Sequence, residues 1–337
     1  MNEQLGLEKY TLQNHYLKFI IKILIFIIFI KCGTIKFNLI NNRIISKRIQ
    51  QKKLNYNNIF VIVREDTCKI CGLMAYYKHY LASVSTYIRE GYIPIIDLKS
   101  FPNILNGYKV DSMNKNPWEI FFNQPFGYEL DNVLKNGKFI RYAKCNFRRK
   151  IIPYYIFLNE TLINYWHIIA TNYIPIKKEI YRESLKIMNI LFKRSDNILG
   201  ILIRGTDYLA KKPKKHPITP DSNIVIDDVK MMDKINNYDY YFIATEDDII
   251  RNKFIDEFGK KLKFIKQKKM KYRKKYYLSY YKSFRGNIEN IKIYLLNIII
   301  LSKCLDIIAS RTSGSIIAFI FSNGFRNSKI YFLGEYN

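Results

Sequence analysis

Three short clusters of polar residues each follow a buried, β-branched run of the kind that forms a strand in a parallel sheet, where ligands collect beyond the strands' carboxyl ends. The first is Ile203-Arg204-Gly205-Thr206-Asp207-Tyr208. A guanidinium directly after a strand, beside a permissive glycine, presents paired N–H donors suited to a diphosphate. The bland reading of Arg204 is a pair with Asp207 that closes the strand. The second cluster is Ala244-Thr245-Glu246-Asp247-Asp248, whose acids either accept from nucleobase or ribose donors or cap the helix that follows. Capping suits Asp247 better. The third is Arg311-Thr312-Ser313-Gly314-Ser315, where hydroxyls, unsatisfied backbone N–H groups and a helix dipole favour phosphate, and where Thr312 or Ser313 serves equally as a plain cap.

Several familiar arrangements are missing. There is no G-x-x-x-x-G-K-[ST], no G-x-G-x-x-G after the first strand and no G-x-S-x-G, which removes support for NTP hydrolysis, dinucleotide oxidoreduction and a serine nucleophile. Cys68 and Cys71 form a lone C-x-x-C with only His79 nearby, so no zinc site is expected and the pair reads as two small residues after a strand. Five cysteines scattered over 337 residues do not read as a secreted disulfide framework and favour a reducing compartment.

The elements that must position these clusters alternate strand and helix. In the first half, Ile59 to Val63 and Ile93 to Leu98 read as strands around a helix from Gly72 to Arg89, and Lys138 to Tyr142 as a third strand. Asn116-Pro117-Trp118-Glu119 starts a helix, and Asn159 to Ala170 and Ile176 to Arg194 are helical in spacing. The second half repeats the rhythm with strands at Ile198 to Ile203, Tyr240 to Ala244, Leu262 to Ile265, Leu305 to Ala309 and Lys329 to Phe332. Helices at Pro220 to Ile235, Asp248 to Phe258, Ile288 to Cys304 and Ser313 to Phe321 lie between them. This pattern predicts an α/β fold with two parallel sheets and covering helices, and a site in the cleft between its halves. The expected organisation is a leader over residues 1–57, an N-terminal α/β domain over 58–195 and a C-terminal Rossmann-like domain over 196–337.

Charge is the other prominent feature. The chain carries 56 Lys and Arg against 28 Asp and Glu, a net +28, which points to a polyanionic partner unless base-composition bias in the genome explains it. Most of the excess sits in two places. Residues 1–58 hold ten basic and two acidic groups, and residues 260–285 hold twelve basic groups and no acid, interleaved with Tyr272, Tyr276, Tyr277, Tyr280 and Tyr281. The apolar run Phe19 to Ile30 is, at about 1.5 Å per residue, too short to span a bilayer core of about 30 Å. It reads as a helix lying on an anionic membrane surface, a helix buried against the fold, or a signal-anchor. The Lys/Tyr stretch suits a membrane carrying a lipid-linked glycan, single-stranded nucleic acid or plain solvent. Nucleic acid is disfavoured, because it leaves the three strand-end clusters without a purpose.

The run Gly200-Ile201-Leu202-Ile203-Arg204-Gly205-Thr206-Asp207-Tyr208, then His216-Pro217, Phe242-Ile243-Ala244-Thr245-Glu246-Asp247, and Leu301 to Asp306 leading to Thr312-Ser313-Gly314-Ser315, resembles the motif series of the fucosyltransferase superfamily. That group includes α1,2-, α1,6- and protein O-fucosyltransferases. Gly91 to Asp97 and Trp118 to Phe126 resemble its small bacterial glycan-biosynthesis members, so the likeness runs over about residues 58–337. It implies a GT-B-like arrangement of two Rossmann-like domains facing a cleft. It also implies inverting transfer from GDP-fucose or a similar sugar nucleotide to a glycan acceptor, without a metal or further cofactor, the acceptor lying on the side of residues 58–195. Donor contacts fall on Arg204, Gly205, Thr245, Glu246, Asn297, Thr312, Ser313, Gly314 and Ser315, with His216 orienting substrate or acceptor. Two departures stand out: a two-arginine motif is reduced to Arg204-Gly205, and Asn297 occupies a position where related α1,6 enzymes carry an acid.

Transfer also needs a carboxylate to take the acceptor's proton. Asp207 is a candidate, although the neighbouring Arg204 lowers its basicity, and Asp66 or Glu65 beyond the first strand are the alternatives. The charge pattern places the chain in the cytoplasm, held peripherally at the inner face of a membrane. The rival reading is a basic nucleic-acid- or anionic-lipid-binding protein on a decayed transferase scaffold.

Overall fold

β1 (Ile59–Arg64) runs at the centre of a three-stranded parallel sheet, flanked by β2 (Ile93–Asp97) and β3 (Phe139–Lys144). The computed structural model describes residues 59–64, 69, 71–110, 113–145, 152, 154–193, 196–266 and 286–337, all within one compact unit, Asn57–Asn337. The leader, Glu65, Asp66, Cys68 and the basic stretch from 267 to 285 lie outside the described residues.

α1 (Leu73–Arg89) links β1 to β2 and buries Tyr76, Tyr77 and Tyr80 completely or nearly so. Its long apolar face is what a parallel crossover requires. α2 (Pro117–Phe121) starts at Asn116, whose side chain accepts from the Trp118 N–H, with Pro117 in the first turn where its missing N–H costs nothing. Trp118 stacks on Tyr77 at 5.7 Å, and Gln124 clips β2 by accepting from the Ile96 N–H and donating to the Ile96 carbonyl. The stretch from Trp118 to Phe126 is therefore core and strand clip in this half of the chain. α3 (Leu130–Asn136) precedes β3, and α4 (Glu160–Tyr173) and α5 (Lys178–Leu191) lead into the second half.

The second sheet holds β4 (Ile198–Leu202), β5 (Tyr240–Ala244), β6 (Leu262–Lys263), β7 (Asp306–Ser310) and β8 (Ser328–Tyr331) in the order β6-β5-β4-β7-β8, all parallel. β4 and β7 are buried at every residue, as expected of central strands covered on both faces. The helices are α6 (Thr206–Lys211), α7 (Ser222–Asn236), α8 (Asp248–Phe258), α9 (Ile288–Leu301) and α10 (Ser313–Ser322). α9 is buried continuously from Leu295 to Leu301. The chain is thus α/β with two parallel sheets.

α10 joins the two halves. Phe321 meets Tyr77 edge-on at 5.3 Å, Phe319 meets Phe157 at 4.9 Å, and His167 Nδ1 lies 2.7 Å from the Ile320 carbonyl oxygen. One sequence expectation needs correction: Cys71 is disulfide-bonded rather than a thiol. Its partner lies outside the described residues, since Cys145 and Cys304 are free.

Candidate functional site

β5, β4 and β7 are adjacent and parallel, so the three polar clusters that follow them emerge side by side at one edge of the second sheet. The structure brings the first two into direct contact. Arg204 Nε sits 3.2 Å from Glu246 Oε1, and the same oxygen accepts the Gly205 N–H at 3.1 Å. The face of the guanidinium lies over the Tyr208 ring, 4.7 Å from its centroid, and Tyr208 Oη is 3.0 Å from His216 Nδ1. Arg204 is therefore held at Nε by a carboxylate and lies over an aromatic ring.

Gly205 is there because the loops crowd. A Cβ at this position would come within 2.4 Å of the Asp247 side chain. Asp247 in turn caps α8, accepting from the Ile249 and Ile250 N–H groups, and its own N–H donates to Thr245 Oγ1 at 3.2 Å. Capping is thus the role that the geometry gives Asp247. Asp207 falls in α6, but only its backbone is described; the sequence had not marked this helix, which opens directly at the strand end.

The third cluster forms a capping box. Thr312 Oγ1 accepts from the Ser315 N–H, Ser315 Oγ accepts from the Thr312 N–H at 2.9 Å, and Ser315 Oγ also donates to the Ser310 carbonyl at 2.5 Å. Both hydroxyls and the Ser315 N–H are spent on the loop itself, leaving the Ser313 side chain and the Ser313 and Gly314 amides as the groups that can meet a ligand. Arg311 is held by Glu335 at 2.8 Å, and the tail carrying Glu335 pairs with the His216 loop through the Lys215 and Ile218 N–H groups and the His216 carbonyl. Asn297 is buried and donates to the Ile293 carbonyl of its own helix at 3.0 Å.

The sequence did not mark Tyr294. Its hydroxyl lies over Gly314, where an added Cβ would approach it to 2.7 Å, so the glycine makes room for the phenol at the start of α10. Burial pushes the Tyr294 phenol up to about 12, with Arg204 pulling it down and Glu246 and Tyr208 pushing it further up. Those influences tie all three strand-end loops to one point. A phenol in the largely apolar run from Ile291 to Leu301, whose other polar residues are Lys292 and Asn297, was the available signal. Among the described residues no group of three His, Cys, Asp or Glu side chains is arranged to hold a metal ion, and no helix is long and apolar enough to cross a membrane.

The parallel α/β sheet with an anion-suited loop cluster at its carboxyl edge is the class that fold and site define. No family model and no curated protein matches the chain. Among solved structures, it is similar to NodZ alpha-1,6-fucosyltransferase soaked with GDP-fucose, at 14% identity over 79% of this chain and 93% of that one, with a TM-score of 0.47. It is also similar to the fucosyltransferase NodZ from Bradyrhizobium, at 15% identity over 75% and 88% of the two chains and TM-score 0.47. A third is POFUT1 in complex with GDP-fucose, at 5% identity over 84% and 100%, TM-score 0.46.

Proposed function

We propose that the chain is a glycosyltransferase that moves fucose from GDP-fucose to a glycan acceptor with inversion at the anomeric carbon. The observation that carries this reading is the convergence of Arg204, the Gly205 N–H and Glu246 beside the amino end of α10. In such a transfer the sugar gains oxocarbenium character while negative charge builds on the departing diphosphate, so fixed donors aimed at that charge supply the largest catalytic effect. Arg204 is the principal donor, already oriented by Glu246 and Tyr208. The free first-turn amides of α10 and Ser313 complete an anion cradle that requires no reorganisation of the backbone.

The acceptor hydroxyl attacks the anomeric carbon from the side opposite the diphosphate, and its proton passes to a carboxylate. The candidates for that carboxylate are Asp66 or Glu65, beyond the first strand, and Asp207. Residues 58–195 form the acceptor side and 196–337 the donor side, and the basic leader holds the enzyme at an anionic membrane surface bearing a lipid-linked acceptor. A thermal-shift panel of GDP, UDP and their sugars tests the donor assignment, because a ligand bound by the native state alone raises the melting temperature. GDP and GDP-fucose should raise it; a response to the uridine nucleotides only, or to none, would overturn the reading.

A further inference from the structure

At the other end of the second sheet is a feature that the proposed transfer does not use. A cavity of about 530 Å³ is lined by Lys193, Asp196, Asp239, Tyr240, Lys260, Lys261 and Lys263. It lies at the amino ends of β4 and β5, and five residues of β4 at about 3.3 Å each put roughly 16 Å between it and the Arg204 loop.

Its four lysines outnumber its two acids: Asp196 accepts the Lys193 N–H at 2.5 Å, and Asp239 accepts the Asn197 N–H at 2.6 Å. Lys261 lies over the Tyr241 ring at 5.3 Å and reaches Asp233 at 3.5 Å, while Lys263 lies over the Tyr240 ring at 4.7 Å. Lys193 and Lys260 have no carboxylate partner among the described residues. Four ammonium groups against two carboxylates leave the lining with two positive charges in excess, which the partial negative charge at the end of α8, about half an electron, does not offset.

We propose that this pocket is a second anion site, which takes a phosphate-bearing ligand independently of the sugar-nucleotide site. Lysine suits this role because its ammonium is a compact point charge that meets phosphate oxygens without the fixed fork that arginine imposes. The tyrosine rings hold two of the ammonium groups in place by cation–π contact, so fewer side chains must be ordered when the ligand arrives. The volume exceeds what one phosphate needs and accommodates a phosphate ester. That chemistry is shared by an anionic phospholipid headgroup and by a soluble phosphate.

The test uses the full chain, the exposed pair Lys193→Glu/Lys260→Glu, and a control pair Lys178→Glu/Lys186→Glu on the exposed face of α5 with the same change in net charge. Sedimentation with phosphatidylcholine vesicles, with and without phosphatidylglycerol, reads the lipid source, and calorimetric titration with inorganic phosphate reads the soluble one. The pocket pair should weaken binding to one probe by at least about tenfold at low salt, where surface charges are least screened, and the control pair by less than about twofold. Loss confined to the vesicles identifies the lipid source, and loss confined to phosphate the soluble one. Wild-type protein that binds neither probe, a pocket pair that binds both as wild type does, or an equal loss in the control pair would overturn the proposal. Should charge reversal unfold the chain, Lys193→Gln/Lys260→Gln reads the same difference.

Discussion

Each sheet ends a central strand on an arginine that faces a carboxylate, and the two pairs are built for different purposes. At the end of β1, Arg64 reaches Asp97 through both Nη2, at 2.7 Å, and Nε, at 2.9 Å. Asp97 is fully buried, and its other oxygen takes the Lys99 and Ser100 N–H groups at 2.9 Å. At the end of β4, Arg204 Nε lies 3.2 Å from Glu246 Oε1, with both side chains about one-fifth exposed. A saturated, buried carboxylate is a lock. Glu246, partly solvated and shared between Arg204 and the Gly205 N–H, is less deeply buried, and on the proposed reading it gives way to the donor's diphosphate. The difference teaches that an arginine at a strand end marks a ligand site only where its partner remains exchangeable.

Breaking the lock should have the largest effect. Asp97→Ala leaves Arg64 without its counter-charge and is expected to cost about 3–5 kcal/mol in denaturant unfolding, whereas Glu246→Ala should cost no more than about 1 kcal/mol. Equal losses would erase the distinction between the two pairs. Next, Arg204→Ala should reduce transfer by about 100- to 1,000-fold, the usual scale for removing one donor to developing charge, while leaving the melting temperature nearly unchanged. Arg204→Lys should restore little, because a point charge does not reproduce the fork; transfer near the wild-type rate in either variant would remove Arg204 from the mechanism.

A second buried acid sharpens the comparison at the smallest scale. Burial alone would raise the Asp306 carboxyl, but hydrogen bonds from Arg326, Tyr238 and Asn327 outweigh it and hold the pKa below its ordinary value of 3.8. Because the folded value is the lower one, the stabilisation is complete above the ordinary carboxylate range and is lost as pH falls through the folded value. Asp306→Asn should therefore cost about 1–3 kcal/mol at neutral pH and flatten the acid limb of the stability profile. An acid limb unchanged by that substitution would mean that Asp306 contributes nothing through its charge.

Much of the fold was legible because β-branched runs and capping residues act locally. β5 and α8 match the sequence expectation residue for residue, since Asp247 and Gly259 mark the two ends of α8. α3 was missed because it buries only Leu130 and Val133, too few positions to set a period. α9 stops at Leu301 rather than Cys304, and β6 is two residues long rather than four, because nothing in an apolar run says where pairing ends.

At the site, the polar clusters could be read and their partners could not. Arg204 was expected to face Asp207 or a phosphate, and the structure sets Glu246 against it, which lies 42 residues away and is brought close only by the β4–β5 pairing. Glu335 was invisible for the same reason, since only the fold of the tail brings it to Arg311, and Tyr294 showed as a phenol in its helix but not as a neighbour of Gly314.

α10 carries a consequence of another kind. Its first turn opens at the Thr312–Ser315 capping box, part of the proposed anion cradle, and its last turns are bedded among the aromatic residues of the first half through Phe319, Ile320 and Phe321. The helix is ten residues long, about 15 Å at 1.5 Å per residue. The energy with which a ligand grips one end is therefore shared with packing at the other. The two sheets cannot be treated as separable modules: exchanging either half for a foreign one would also exchange the bearing surface on which the cradle is aligned.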